Sequence, residues 1–363
     1  MKGISYLGSL KFLVNRTPPH LILFVTSSCN LRCKHCFYWK NIEKFNPKDM
    51  LSLEEIKNIS KNFGPIHYLT ITGGEPILRK DLFEIIKIFY QNNKVKHLAL
   101  HTNGYYTDKI KELVTSLVKE FPDMIITVSL SLDHIGNKHD KIRGKKNAFN
   151  NLVNTINSLS PLLENKNFDI NVNSVFSSYN QDEIHNIHDF IENKVGCYHA
   201  LCLVRGDSKN KTAKNIDIEK YRMISDHLER IEPKRKHNFP FSLTSKLIDQ
   251  VIKDLVIRTV KEKRMILPCY AGKKSVVILE NGDVYPCELL NKSFGNIKDY
   301  DYNIKKIMNT ENANIIRRFI KDKRCYCTFE CILPLNIIYS PTGLFYLFKK
   351  YLNYLRLKWK IYL

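Results

Sequence analysis

The chain has 363 residues, of which 44% are hydrophobic and 26% charged; this ordinary globular composition excludes a disordered or fibrous chain. The length suits two domains, or one (β/α) barrel filling most of the chain. The formal net charge of +21 attracts anions, but no RNA- or DNA-binding motif accompanies it. A lysine-rich solvated surface is therefore expected, and nucleic acid is not an expected partner.

The N-terminus lacks a charged-then-apolar signal pattern, and no apolar run approaches the roughly 20 residues that span a bilayer. A cytoplasmic location is expected, where thiols stay reduced. Ten cysteines then point to metal ligation more than to disulfides.

In chain order, His20–Ser28 reads as a buried strand, and Cys29, Cys33 and Cys36 follow it. Ser52-Leu-Glu-Glu55 reads as a capping box opening a helix. Tyr68–Thr72 is a second strand, ending at Gly73-Gly74-Glu75-Pro76, and Asp81–Tyr90 is helical. His97–Thr102 is a third strand, closing at the turn Asn103-Gly104. Met124–Leu132 is a fourth, followed by Asp133 and by His139 to Arg143. Ile170–Phe176 and His199–Val204 are the fifth and sixth, with Arg205 next. Strands alternating with helices predict an α/β fold with a parallel sheet or barrel. In such folds ligands bind at the carboxyl ends of the strands, which is where Cys29, Gly73, Asn103, Asp133 and Arg205 fall.

The chain turns polar and lysine-rich at 206–215, and the main domain boundary is placed there. Helical segments are expected over 216–263. A cysteine-bearing module runs from Pro268 to about Pro334, and an aromatic, basic stretch closes the chain.

The first three cysteines lie in eight residues, spaced x3 then x2. A loop at a strand end can turn all three sulfurs toward one cluster. A [4Fe–4S] cluster normally takes four thiolates, so three leave one iron open to a small molecule. The alternative is a structural zinc site with His35 as fourth ligand, although His35 is crowded between two cysteines.

Cys-x3-Cys-x2-Cys after a first strand, with the aromatic-type His35 before the third cysteine, resembles the signature of the radical S-adenosylmethionine (SAM) superfamily. The resemblance implies a partial (β/α)6 TIM-like barrel. It also implies an open iron chelated by SAM, which the reduced cluster cleaves to a 5′-deoxyadenosyl radical that abstracts a substrate hydrogen. Gly73, Gly74 and Glu75 would hold the SAM amino group, Ser131 the ribose and Arg143 the carboxylate, with His35 beside the cofactor. A low-potential donor such as a flavodoxin or ferredoxin would supply the electron. Without the resemblance, Gly73-Gly74 is an ordinary turn, Ser131 a barrel-lining residue, and Arg143 and Arg205 surface arginines.

Cys269, Gly282 and Cys287, followed by Cys325, Cys327 and Cys331, resemble the C-terminal SPASM module, or its shortened twitch form. Five thiols suit one auxiliary [4Fe–4S] cluster rather than two. The Cys-x-Cys spacing makes Cys325 or Cys327 the expected spare, and a closed zinc site is the alternative. Val276–Leu279 and Val284–Tyr285 around Asn281-Gly282 predict a hairpin that brings Cys269 and Cys287 together. Glu288, directly after Cys287, is the candidate catalytic base, as in some dehydrogenating relatives. Cys197 and Cys202 are read as small buried hydrophobes.

The expected domains are a radical SAM core over 1–215, a helical linker over 216–263, a SPASM/twitch domain over 264–335 and a basic amphipathic helix over 336–363. In that helix Phe345, Phe348, Leu352, Leu355 and Trp359 form a stripe opposite Lys349, Asn353, Arg356 and Lys360. The stripe is expected to pack on the protein body; the alternative is peripheral contact with the inner face of an anionic membrane. Only about twenty residues precede the first strand, which argues for oxidation or rearrangement of a small molecule, sugar or lipid-linked substrate. The other readings are a peptide-modifying maturase of the same family and a non-catalytic iron–sulfur or zinc protein.

Overall fold

A computed structural model of the chain describes residue 8, residues 17–230 and residues 242–361; the side chains of 229–230, 242, 245 and 357–361 lie outside the description. Trp359 and Lys360 of the terminal stripe are thus outside it, as is 231–241 of the expected linker.

Six strands, β1 (His20–Thr26), β2 (Tyr68–Gly73), β3 (His97–Thr102), β4 (Ile125–Ser131), β5 (Phe168–Phe176) and β6 (Tyr198–Leu203), lie parallel in sequential order. Their ends fall within two residues of the sequence expectation, because parallel strands buried on both faces read as short apolar runs bounded by turns. The expected capping box is present: Ser52 Oγ accepts from Glu55 N at 3.2 Å, and Glu55 Oε2 from Ser52 N at 2.7 Å.

The outer face of the sheet is aliphatic. Leu21, Leu23, Leu69, Ile71, Leu98 and Val128 pack in the main core with residues of the flanking helices such as Ile59, Ile86 and Val114. The inner face is polar and cross-linked between strands: His20 Nε2 to Thr70 Oγ1 at 3.0 Å, and His97 Nε2 to Thr127 Oγ1 at 2.9 Å. Inner-face residues of β1 to β6 line one shared cavity, so the sheet curls into the expected partial barrel.

The cysteine module joins this sheet. β7 (Ser275–Ile278) pairs parallel with β1, and β8 (Asp283–Tyr285) and β9 (Gly295–Asn296) continue antiparallel. The predicted hairpin is β7–β8. The 206–215 segment, read as a boundary, is tied to the first cysteine loop: Lys209 N donates to Cys36 O at 3.0 Å and Asn210 N to Lys34 O at 2.8 Å. Helices Ile218–Arg230 and Ser242–Glu262 follow.

The terminal helix, Pro341–Ile361, departs from expectation. It docks through Tyr346, Leu347 and the Lys350–Asp254 ion pair at 3.0 Å. Phe345, Phe348 and Leu352 are instead 62%, 56% and 38% exposed, so these three residues of the predicted stripe do not pack on the body. Among the described residues, no helix is long and apolar enough to cross a membrane.

Candidate active site

The loop carrying Cys29, Cys33 and Cys36 leaves the carboxyl end of β1 and is held by its backbone. Gly74 N donates to Thr26 O at 2.7 Å and Glu75 N to Ser28 O at 2.8 Å. A Cβ at Gly73 would lie 2.3 Å from Thr26 O, and one at Gly74 2.2 Å from Ser28 O. Both glycines are therefore needed for one chain to approach another, before any ligand is considered. On the other side, Arg32 N and Lys34 N donate to Arg143 O and Ile142 O at 3.1 and 2.9 Å. The helix Asn137–Arg143 thus ends on the cysteine loop.

Glu75 is buried. Its carboxylate accepts from Thr102 Oγ1 and Asn103 N, both at 2.7 Å, and from Ile77 N at 3.3 Å. Burial pushes its carboxyl up to about 7 against these hydrogen bonds. Asn103, read as either turn or site, joins the site by donating to Asn30 Oδ1 at 2.8 Å.

Asp133, with no solvent exposure, organises the far side. Its Oδ2 lies 2.8 Å from Arg143 Nε and 3.5 Å from His35 Nε2. Burial opposes its ionisation, but Arg143, His35 and His139 outweigh it and hold the carboxyl below its ordinary value. Arg143 is therefore a buried ion-pair partner rather than a surface arginine, and its Nη1 reaches Cys33 Sγ at 3.7 Å. Asn30 Nδ2 and His35 Nδ1 are buried without a hydrogen-bond partner, while Arg143 Nε is held by its ion pair with Asp133. Unsatisfied polar nitrogens and a buried guanidinium beside three thiols fit an anionic cluster and a ligand carboxylate. Burial pushes Cys29 and Cys36 up to about 12.

Across the cavity, Arg205 pairs with Glu330 at 2.6 Å and with Glu288 at 3.4 Å, and its guanidinium lies over the Phe329 ring. Burial raises both carboxyls against the pull of Arg205. Sequence reasoning missed Glu330; its only local signal is its place beside Cys331. It reaches the sheet, where Glu330 Oε1 accepts from Leu203 N at 2.9 Å.

Cys29, Cys33, Cys36, Gly73, Gly74, Glu75, Ser131 and Arg143 line one cavity of about 250 Å³, together with Arg205, Glu288 and Cys331. It meets a second cavity of about 160 Å³ inside the barrel at Thr70, His101, Asn173, Cys202 and Cys331. Cys202 is thus a cavity residue, while Cys197 is a core hydrophobe as read. Among the described residues, no group of three or more His, Cys, Asp or Glu side chains is set to hold a single metal ion.

The model of the radical SAM superfamily matches residues 23–191, and that of the SPASM iron–sulfur cluster-binding domain matches residues 269–332. This chain carries a radical SAM domain followed by a SPASM domain. It is similar to the subtilosin biosynthesis protein AlbA of Bacillus subtilis, 29% identical over 328 residues, covering 86% of this chain and 66% of AlbA. It is also similar to the GTP 3',8-cyclase of Helicobacter pylori, 29% identical over 226 residues, covering 58% of this chain and 66% of the cyclase. The aligned part of the radical SAM enzyme therefore spans just under two thirds of either relative. In fold it resembles anSMEcpe with bound AdoMet, with a TM-score of 0.57 and 19% identity over 93% of this chain and 98% of that one. SuiB of Streptococcus suis bound to S-adenosylmethionine gives 0.60 and 16% over 86% and 71%. The superfamily assignment brings SAM and its cluster, and the SPASM domain brings auxiliary iron–sulfur binding.

Proposed function

We propose that this radical SAM enzyme oxidatively modifies a peptide. Cys29, Cys33 and Cys36 hold the SAM-binding [4Fe–4S] cluster, and C-terminal cysteines hold one auxiliary cluster. Glu75, with the backbone at Gly73 and Gly74, takes the amino group of SAM; Ser131 takes the ribose; Arg143, steered by Asp133 and flanked by His35, takes the carboxylate. When bound, the cluster and SAM supply the 5′-deoxyadenosyl radical that abstracts a substrate hydrogen. The protein aligns substrate and cofactor and excludes water. The observation that carries this reading is the single cavity lined both by the SAM-side residues and by Glu288 and Cys331.

A peptide replaces the expected small molecule on the names of relatives. AlbA serves bacteriocin biosynthesis, and SuiB has been seen with precursor peptide SuiA. The test is a short precursor peptide encoded beside this gene, deuterated on its side chains. Transfer of deuterium into 5′-deoxyadenosine supports peptide chemistry. No transfer, together with glycosyltransferase genes alongside, would return the reading to sugars.

Glu288 is the proposed proton acceptor, since a buried carboxyl raised toward neutrality suits general-base work. Glu288→Gln is expected to lower product formation by about 10²–10⁴-fold while SAM cleavage persists. Equal loss of both in a quantitative product assay would contradict the role.

The electron enters from a flavodoxin- or ferredoxin-like donor. The exposed Phe345, Phe348 and Leu352, with exposed Arg356, support peripheral contact with an anionic membrane. Phe345→Ser with Phe348→Ser is expected to abolish cosedimentation with phosphatidylserine vesicles. Unchanged cosedimentation would remove this contact.

A further inference from the structure

We propose that an acidic electron carrier of the flavodoxin class docks on the outer side of the N-terminal cysteine loop, over Arg32, Lys34, Lys145 and Lys146. This rests on the reading above that Cys29, Cys33 and Cys36 hold a cluster that must be reduced, and it adds where the reductant binds.

Two segments far apart in sequence are pressed together there. Arg32 N and Lys34 N donate to Arg143 O and Ile142 O at 3.1 and 2.9 Å. Gly144 then lies so close that a Cβ on it would stand 2.8 Å from Arg32 O, and Lys145 and Lys146 follow at once. Arg32, Lys34 and Lys146 are exposed and Lys145 is half-buried. Four cations thus converge on one side of the loop. The carboxylates around them are engaged elsewhere. Asp140 accepts from the backbone of Asn147 and Phe149 at 2.7 and 2.9 Å. Glu43 pairs with Lys209, and Asp207 with Lys40 and Lys211.

This surface adjoins the cluster ligands. Arg32 and Lys34 flank Cys33 in the chain, and Arg32 Nη1 donates to Cys29 O at 2.7 Å. None of the four cations lines the cavity that holds the SAM-side residues, so a partner seated on them does not occupy the place of SAM or substrate.

The charges select an acidic protein by steering its approach. Lys34 Nζ lies over the Tyr179 ring at 5.3 Å and Lys145 Nζ over the Tyr105 ring at 4.6 Å. Half-buried aromatic faces beside the cations suit the exposed edge of a flavin. The step is one electron: the reduced flavin loses it, the oxidised cluster gains it, and no atom passes between the proteins. Such encounters need little buried surface.

The experiment uses the full-length enzyme loaded with iron and sulfide, and a purified flavodoxin. Isothermal titration with oxidised flavodoxin should show binding that weakens as salt rises. Lys34→Glu with Lys145→Glu should remove most of that binding and slow flavodoxin-driven formation of 5′-deoxyadenosine by about 10-fold or more. Dithionite, which needs no docking, should drive this variant as fast as the parent, which also shows that it folds and holds its cluster. Lys34→Arg with Lys145→Arg keeps the charge and should bind as the parent does. Lys145→Gln with Lys146→Gln removes charge without reversing it; should the Glu variant fail to load iron, this one still reads a smaller loss in the same direction. Equal flavodoxin binding by parent and charge variants, or lost affinity for the precursor peptide in place of flavodoxin, would overturn the docking site alone. A parent that dithionite cannot drive would overturn the cluster reading and the docking site with it.

Discussion

A chain carrying Cys29→Ala, Cys33→Ala and Cys36→Ala is expected to produce no 5′-deoxyadenosine above background, while still taking up iron at its C-terminal cysteines. The three thiols share one loop, held between the Gly74–Glu75 backbone and the carbonyls of Ile142 and Arg143, and with all three removed no thiolate is left there to ligate a cluster. Burial pushes Cys29 and Cys36 up to about 12, so in the metal-free chain these thiols are protonated at neutral pH. Ligation must expel those protons. Iron uptake at the triad should therefore become more complete as pH rises from 7 toward 9, with measurable proton release. Undiminished SAM cleavage by the triple variant, read by chromatography of 5′-deoxyadenosine, would place the chemistry elsewhere.

The second large effect is at Glu75. Its carboxyl, raised by burial to about 7, is part protonated at neutral pH. An ammonium group binds the ionised form, so SAM affinity should rise as pH increases through about 7 and then level off. The stability sign is opposite: because the folded value lies above the ordinary carboxyl value of about 4.3, the group's contribution is fully present below that value. It is lost as pH rises through about 7, until SAM offsets it. Glu75→Gln should weaken SAM binding by about 10–100-fold, since a hydrogen bond to a charged group contributes about 1.5–3 kcal/mol. It should also flatten the pH dependence. Isothermal titration of the loaded enzyme between pH 6 and pH 8.5 reads both; a variant as tight and as pH-sensitive as the parent would remove Glu75 from the SAM site.

Much of this was legible because it is local. Each of β1 to β6 is a short apolar run ending at a turn signal, and the N-terminal cysteine triad and Gly-Gly-Glu are contiguous motifs. What escaped depends on contacts far apart in sequence. Glu330 has meaning only through Arg205, 125 residues earlier, and Asp133 only through its joint hold on His35 and Arg143. The 206–215 segment reads as a domain boundary because it is polar and lysine-rich, yet the backbone N–H groups of Lys209 and Asn210 hold the cysteine loop. β7 is too short to announce that it will extend the sheet beyond β1. The terminal helix shows that an amphipathic stripe fixes a helix's period but not which face docks: Tyr346 and Leu347 meet the body, and the more apolar face is left in solvent.

The central claim is an iron left open at the N-terminal cysteines for SAM. Its most direct test is electron paramagnetic resonance of the anaerobically loaded, dithionite-reduced enzyme before and after SAM, read alongside 5′-deoxyadenosine. The predicted result is a cluster signal that shifts on adding SAM and disappears in the triad variant, with nucleoside formed only when the triad is present. A signal indifferent to SAM, or iron-free protein with zinc at those thiols, would contradict it.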